Sequence, residues 1–437
     1  MQVHTVGGYN EVGKNMTGIE VDDNIVLIDM GYDMETVVEE DQEIEEMTTT
    51  ATIEAGAIPD DSQIHEKKEE VEAIVISHGH LDHVGAVPKI ADAYDCPIIA
   101  TPYTMSVMRR MIEEDRKDLD NELIEMEAGE RYQISEDIEL EFVNITHSIP
   151  GTVLTVLHTP DGTVVYSLDY RLDDEPVIGD PPDYKRISEL GEQGVNLFIG
   201  DSTRVEEEER GSSEATVATE LEHTIDMAYD EGGCVFVSTF SSQIERLTSI
   251  LEANNGRRKV AFIGRSLKEY TQSAEELGLM DLDDIEVVSY RDETEDLLRR
   301  IKDEREDWLI VATGNQGEPR AALTRIVNGD YPLEVQEGDH VIYSCSVIPA
   351  PINRANRYKV EKKIRKKGAR TYKDIHTSGH AKREDNRDML RMLEPDNIVP
   401  AHGTTEMLAS YATLAREEGY TLNENIHLCE NGNVLEL

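Results

Sequence analysis

The chain has 437 residues, too many for one ordinary core, so two domains or one elaborated domain are expected. It carries 42 Lys+Arg against 91 Asp+Glu, a formal net charge of −49, with 38% hydrophobic residues. Apolar strands recur to the end of the chain, which argues against disorder; the carboxylate excess instead suits a halophile's cytoplasm, where the Debye length falls to about 3 Å near 1 M salt.

The four cysteines, Cys96, Cys234, Cys345 and Cys429, are far apart and form no CxxC pair, so reduced thiols in a cytosol are expected. The opening MQVHTVGGYNEVGKN lacks a signal-peptide core. No run approaches the roughly 20 apolar residues of a membrane span, so a soluble intracellular protein is expected.

VHTVGG, TGIEVDD and NIVLIDMG predict an antiparallel layer with Gly-rich turns. Residues 33–70 are acidic and poor in apolar periodicity and predict a helix-bearing surface insertion. VEAIVIS follows as a strand, then a helix around Pro88 to Ala93, where proline suits a first turn. PIIATPY, IELEFVNITH, TVLTVLHTP and TVVYSLDY are expected to continue the sheet, and NLFIGDS closes the section. RVEEEERGSSEAT, charged and Ser-rich, reads as a crossing between domains. Beyond it strands and helices alternate: GCVFVSTF, KVAFIG, IEVVSY, DWLIVATG and HVIYSCS. That texture predicts a parallel, helix-covered sheet. The basic helix NRANRYKVEKKIRKKGAR and the strands TYKDIH and NIVPAHGT complete the chain. A lone histidine ends the last strand, like the strand ends of the first section, so an α/β section inserted into a split first domain is expected. The boundaries are 1–203, 204–372 and 373–437.

One stretch carries the chemistry. IVISHGHLDHVGAVP sets His78, His80, Asp82 and His83 directly after a buried strand. His78 and His80 are two apart on an extended loop and can point the same way. Asp82 and His83 follow where the chain turns into a helix and can face a second point nearby. Imidazole and carboxylate ligands suit Zn²⁺ and neighbouring transition metals.

This motif resembles the HxHxDH of the metallo-β-lactamase superfamily. Asp29 in VLIDMG matches that family's first motif, His147 in NITHSIPGT the third and Asp169 in YSLDYR the fourth. Asp201 in FIGDST, His380 in HTSGHA and His402 in VPAHGT match motifs of its β-CASP branch. GGYNEVGKN, ATGNQGEPRAAL and YSCSVIPAPIN resemble archaeal ribonuclease J enzymes. The bacterial enzymes carry a further C-terminal domain, which is not expected here because the sequence stops at ENGNVLEL.

The resemblance implies an αββα metallo-β-lactamase sandwich with an inserted β-CASP domain. It implies two divalent ions, Zn²⁺ or Mn²⁺: His78, His80, His147 and Asp169 hold one, and Asp82, His83, Asp169 and His402 the other, with Asp169 bridging. The catalytic candidates are Asp82, His380 and Asp201; Asp29 and Asp201 orient imidazoles from behind. The implied reaction is 5′→3′ exonucleolytic cleavage of single-stranded RNA from a 5′-monophosphate, by two-metal hydroxide attack on the phosphodiester. His380 would bind the scissile phosphate or protonate the leaving 3′ oxygen. A homodimer is implied by likeness alone.

A pocket for the 5′ end is expected from TFSSQ and TSGH, with Ser241 and Ser378 as candidates. Lys and Arg concentrate between Arg354 and Lys373 against the single Glu361, and Lys362, Lys363 and Lys366 are expected to line an RNA path. Internal RNA cleavage, a small-molecule metallo-hydrolase and a non-catalytic RNA-binding subunit are the alternative readings. His4, His65, His158, His223, His340 and His427 are expected to be structural or solvent-facing.

Overall fold

The computed structural model describes residues 1–40, 47–115, 119–348 and 351–437. The chain divides into two compact units. Unit 1 comprises Met1–Asp174, Asp180–Gly211 and Ser378–Leu437; unit 2 comprises Glu175–Gly179 and Ser212–Thr377.

Unit 1 is built on two sheets. The first has seven strands in the order Asn433–Glu436, Gln2–Gly7, Met16–Val21, Asn24–Ile28, Val71–Ile76, Ile98–Ala100, Leu123–Glu125. Its opening strands pair antiparallel, as the Gly-rich turns predict, and pairing becomes parallel from Asn24–Ile28 onward. The second sheet has six strands in the order Asn397–Ala401, Val195–Asp201, Gly162–Ser167, Val153–Thr159, Glu139–Asn144, Arg131–Gln133.

Alternation explains how the sheets stack. In Asn24–Ile28, Val26 and Ile28 join a core shared with Leu157, Val164 and Leu197 of the second sheet, while Ile25 and Leu27 turn outward. In Val195–Asp201, Leu197 and Ile199 point to the shared core and Phe198 to helices outside; Val195, across a register shift from Leu197, joins the outer side. Both faces of each sheet are covered, so these strands read as continuous apolar runs. The result is four layers, helix, sheet, sheet, helix.

Two expectations need correction. The strands from IELEFVNITH onward do not continue the first sheet; they form the second one. The stretch 33–70 is not only a surface insertion, because Ile58 and Ile64 are fully buried in the outer core of the first sheet. Residues 41–46 of that stretch lie outside the described residues.

Unit 2 holds one six-stranded sheet, ordered Ile285–Val288, Lys259–Ile263, Trp308–Ala312, Val235–Ser238, His340–Tyr343, Arg370–Tyr372. Every pairing in it is parallel, as strand-helix alternation predicts. Among the described residues no helix is long and apolar enough to cross a membrane.

Candidate metal centre

Six segments of unit 1 end a strand where a charged or imidazole side chain follows. Asp29 follows Asn24–Ile28, and His78 comes two residues after Val71–Ile76. His147, Asp169 and His402 each come within three residues of a strand end, and Asp201 is the last residue of its strand. Parallel neighbours carry their C-terminal ends to the same edge, so residues far apart in sequence converge there.

Backbone pairing then fixes the ligand loop. Asp29 N donates to Val75 O at 2.9 Å, Met30 N to His83 O at 2.7 Å and Tyr32 N to Leu81 O at 2.8 Å. Asn15 N adds a bond to Asp82 O at 3.1 Å. Gly31 must lack a side chain, because a Cβ there would lie 1.6 Å from Asp82 O.

Two sets of side chains result. His78, His80, His147 and Asp169 form one, and Asp82, His83, Asp169 and His402 the other; within each set the ligand atoms all lie within 4.8 Å of one another. Asp169 divides its two oxygens between them. Its Oδ2 is 3.4 Å from His78 Nε2, 3.2 Å from His147 Nε2 and 3.8 Å from His80 Nδ1. Its Oδ1 is 3.2 Å from His83 Nε2 and 3.4 Å from His402 Nε2. Asp82 Oδ2 closes the second set, 3.6 Å from His402 Nε2 and 3.7 Å from His83 Nε2.

The remaining ring nitrogens are held from behind. Asp29 Oδ2 accepts from His83 Nδ1 at 2.7 Å, from Ser77 Oγ at 2.9 Å and from the Tyr166 hydroxyl at 2.9 Å. Ser77 Oγ in turn accepts from His78 Nδ1 at 3.1 Å. His147 Nδ1 donates to Gly379 O at 2.6 Å. His402 Nδ1 lies 3.0 Å from Asn15 Oδ1 and also faces Gly13 N, at 3.2 Å. For His78, His83 and His147 these bonds favour a proton on Nδ1 and turn Nε2 toward Asp169. His402 itself adopts φ +52°, and its N–H is tied to Gly8 O at 2.6 Å.

The electrostatics ask for a cation. Burial pushes His147 down to about 4 against the pull of Asp169, and pushes His78 well below the usual imidazole range. Those rings are neutral and present lone pairs. His80 Nδ1 lies 3.1 Å from His78 Nε2 and 3.0 Å from His147 Nε2, a convergence of nitrogens that suits a shared ion. His83 behaves oppositely. Burial opposes its charge, but the Asp169, Asp29 and Asp82 carboxylates raise it well above the usual value. Asp169 Oδ1 is buried and has no hydrogen-bond partner among the described residues. Nitrogen and carboxylate donors in two four-member sets, with an unsatisfied oxygen between them, fit two divalent metal ions.

His380 stands at the edge of the cluster. Its Nδ1 is 3.0 Å from Asp201 Oδ2 and 3.8 Å from Asp169 Oδ1, and its ring stacks on His402 at 5.6 Å. Burial lowers its basicity, but Asp169 and Asp201 outweigh that and raise it to about 9. Asp201 is fully buried and also accepts from Thr203 N at 2.8 Å.

The other sequence candidates lie outside the two sets. Ser378 belongs to unit 1, where its Oγ accepts from His380 N at 3.2 Å. Ser241 belongs to unit 2, with its Oγ 2.7 Å from that of Ser266. Lys362, Lys363 and Lys366 lie on the unit 2 helix Pro351–Lys366. Asn15 was not singled out from the sequence, yet it is fully buried and touches Asp82, His83 and His402. An asparagine in a Gly-rich turn looks like a turn residue, and its contacts lie 67 to 387 residues away.

Three family models match the chain in succession: the metallo-β-lactamase superfamily over residues 9–231, the ribonuclease J β-CASP domain over 232–365, and the Zn-dependent metallo-hydrolase RNA specificity domain over 368–428. A protein named Ribonuclease J from Pyrococcus abyssi is 44% identical, covering 100% of this chain and 97% of its own length. Another of that name from Methanocaldococcus jannaschii is 42% identical, covering 100% and 98%. A crystal structure of a protein of unknown function from Enterococcus faecalis superposes with a TM-score of 0.66 over 100% of this chain and 99% of that one; at 17% identity it speaks for the fold alone. With full-length identity above 40% to two such enzymes and a two-set metal centre at its strand ends, the chain belongs to the ribonuclease J family of the metallo-β-lactamase superfamily.

Proposed function

We propose that the chain is a metal-dependent 5′→3′ exoribonuclease that acts on single-stranded RNA bearing a 5′-monophosphate, with Zn²⁺ as its metal, as a homodimer in the cytoplasm. The observation that carries a two-metal hydrolase is the division of Asp169 between the two His/Asp sets, Oδ2 to one and Oδ1 to the other. RNA as substrate is supported by family membership and by the RNA specificity domain matched at residues 368–428; the 5′→3′ direction follows from the sequence resemblance alone.

His78, His80, His147 and Asp169 would hold one ion, and Asp82, His83, Asp169 and His402 the other. Bound there, divalent ions supply Lewis acidity toward a phosphodiester oxygen and toward an attacking water. The chain's own residues set the stage. Asp29 keeps a proton on His83 Nδ1 and so aims Nε2 inward. Asp201 holds the proton of His380 at Nδ1. With Asp201 on its Nδ1, His380 stands beside the cluster, where it can bind the scissile phosphate and hand a proton to the leaving 3′ oxygen.

The test uses one RNA with a 5′-monophosphate, labelled at the 5′ or the 3′ end. Release of labelled mononucleotide from the 5′-labelled strand, with the 3′-labelled strand shortening progressively, is the expected result. A ladder of internal products from both would replace the exonuclease with an endonuclease. Asp82→Ala together with His83→Ala, or added chelator, is expected to stop turnover while RNA binding survives; cleavage by the double variant would rule out two-metal hydrolysis.

A further inference from the structure

The helix Pro351–Lys366 of unit 2 has two chemically different faces. Asn353, Arg357, Val360, Glu361 and Ile364 are buried, at the spacing of one helical stripe. Val360 and Ile364 enter the core. The Arg357 guanidinium lies over the Tyr343 ring, 3.2 Å from its centroid, and Nε donates to Glu361 at 3.0 Å. The single carboxylate of this helix is therefore engaged on the inner face.

The outer stripe is Arg354, Tyr358, Lys362, Arg365 and Lys366, all exposed. Tyr358 is 59% exposed, and Lys362 Nζ lies 5.9 Å from its ring centroid. Neighbouring cations outside the stripe are occupied: Lys367 pairs with Glu334, Arg370 with Glu231 and Lys373 with Glu361, while Lys363 donates to Asn328. Among the described residues the four cations of the stripe have no carboxylate partner. A helix face with four exposed cations and no exposed carboxylate stands out in a chain with 91 acidic residues and 42 Lys+Arg. At 1.5 Å per residue the stripe runs about 18 Å.

We propose that this stripe is a binding surface for single-stranded RNA, in which Tyr358 stacks on a base and Arg354, Lys362, Arg365 and Lys366 hold phosphates. The inference rests on the reading of RNA as substrate and adds to it a site within unit 2. Charge complementarity selects a polyanion, because four free cations face outward from a chain of net charge −49. The exposed ring selects a single strand: unpaired bases offer faces for stacking, whereas a duplex buries them. Stacking also survives salt that screens phosphate contacts.

The test measures binding of a fluorescent 20-nucleotide single-stranded RNA to the full chain, held in chelator so that nothing is cut. The variants are Tyr358→Ala, Tyr358→Phe, and Arg354, Lys362, Arg365 and Lys366 together changed to Gln. The fourfold variant is expected to bind at least tenfold more weakly at 0.1 M KCl. Its plot of log affinity against log salt should be shallower by about 3, at roughly 0.7 per phosphate contact. Tyr358→Ala should lose about 5- to 100-fold, should keep that deficit at 1 M KCl, and should be rescued by Tyr358→Phe. With metal restored, hydrolysis of bis(p-nitrophenyl) phosphate should be unchanged in all three. Unaltered RNA affinity and salt slope would overturn the proposal while leaving the nuclease reading intact. A wild-type chain that binds no RNA would instead remove the nuclease reading. Variants that change only oligomeric mass, or only binding to phosphatidylserine vesicles, would assign the stripe to a second copy or a membrane and likewise overturn it.

Discussion

Asn15 couples the two histidines of the second set to the loop that carries Asp82. Its side-chain nitrogen donates to Asp82 O at 3.0 Å, and its oxygen lies 3.0 Å from His402 Nδ1. Its contacts run to two ligand imidazoles and to the backbone that carries a third ligand, so it acts by orienting ligands. Loss of such an outer partner typically costs 10- to 100-fold in metal affinity. Asn15→Ala is therefore expected to weaken metal binding by about that factor in a chelator competition, with unit 1 still folded by circular dichroism. Asn15→Asp keeps the acceptor toward His402 and should fall between the two. Equal affinity in all three chains would show that His402 is held by its own backbone, through φ +52° and the bond to Gly8 O, and not by Asn15.

At the scale of elements, the strands were legible because each is a short apolar run with turn residues at its ends. Their allotment to sheets was not. A strand covered on both faces, such as Val71–Ile76 or Val195–Asp201, has no polar face to show which partner it meets. The metal residues were legible for a different reason: HxHxDH is local, and the distant members followed the order of a known family. Asn15, and the tie from His147 to Gly379 O, needed the fold, because nothing in either segment points across more than two hundred residues. Gly379 also has a steric reason that only the fold supplies, since a Cβ there would fall 2.5 Å from His147 Cε1.

The strand Glu139–Asn144 carries its own prediction. Glu141 is buried, yet it accepts from His158 Nε2 at 2.7 Å and from Arg186 Nε at 2.6 Å. Burial would raise its pKa; the bonds from His158 and Arg186 outweigh that and hold it at about 2. A carboxylate depressed in the folded state stabilises above its unfolded value near 4.5 and loses that contribution as pH falls toward 2. The contribution is about 3 kcal/mol at most. Glu141→Gln is expected to lower the urea midpoint at pH 7, and the gap to wild type should shrink progressively between pH 5 and pH 3. A gap of constant size across that range would mean that Glu141 contributes by shape and not by charge.

Over the whole molecule, charge sets the conditions for folding. Many cations are already paired: Arg387 engages Glu384, Glu417 and Glu418, Arg186 engages Glu141 and Glu189, and Arg300 pairs with Glu286. Even one-to-one pairing of all 42 Lys+Arg would leave 91 − 42 = 49 carboxylates unmatched. Salt weakens both the favourable pairs and the repulsion, but exposed pairs contribute only about 0 to 1 kcal/mol each, and the surplus repels collectively. Repulsion therefore dominates the balance, and screening should stabilise the fold. Raising KCl from 0.1 to 2 M shortens the Debye length from about 10 Å to below 3 Å. The thermal midpoint of the full chain is expected to rise continuously across that range, with most of the gain below about 1 M, where the Debye length changes most. Sodium and potassium chloride should act alike if screening is the cause. A midpoint that is flat or falls with salt would mean that the ion pairs outweigh the repulsion among the surplus carboxylates.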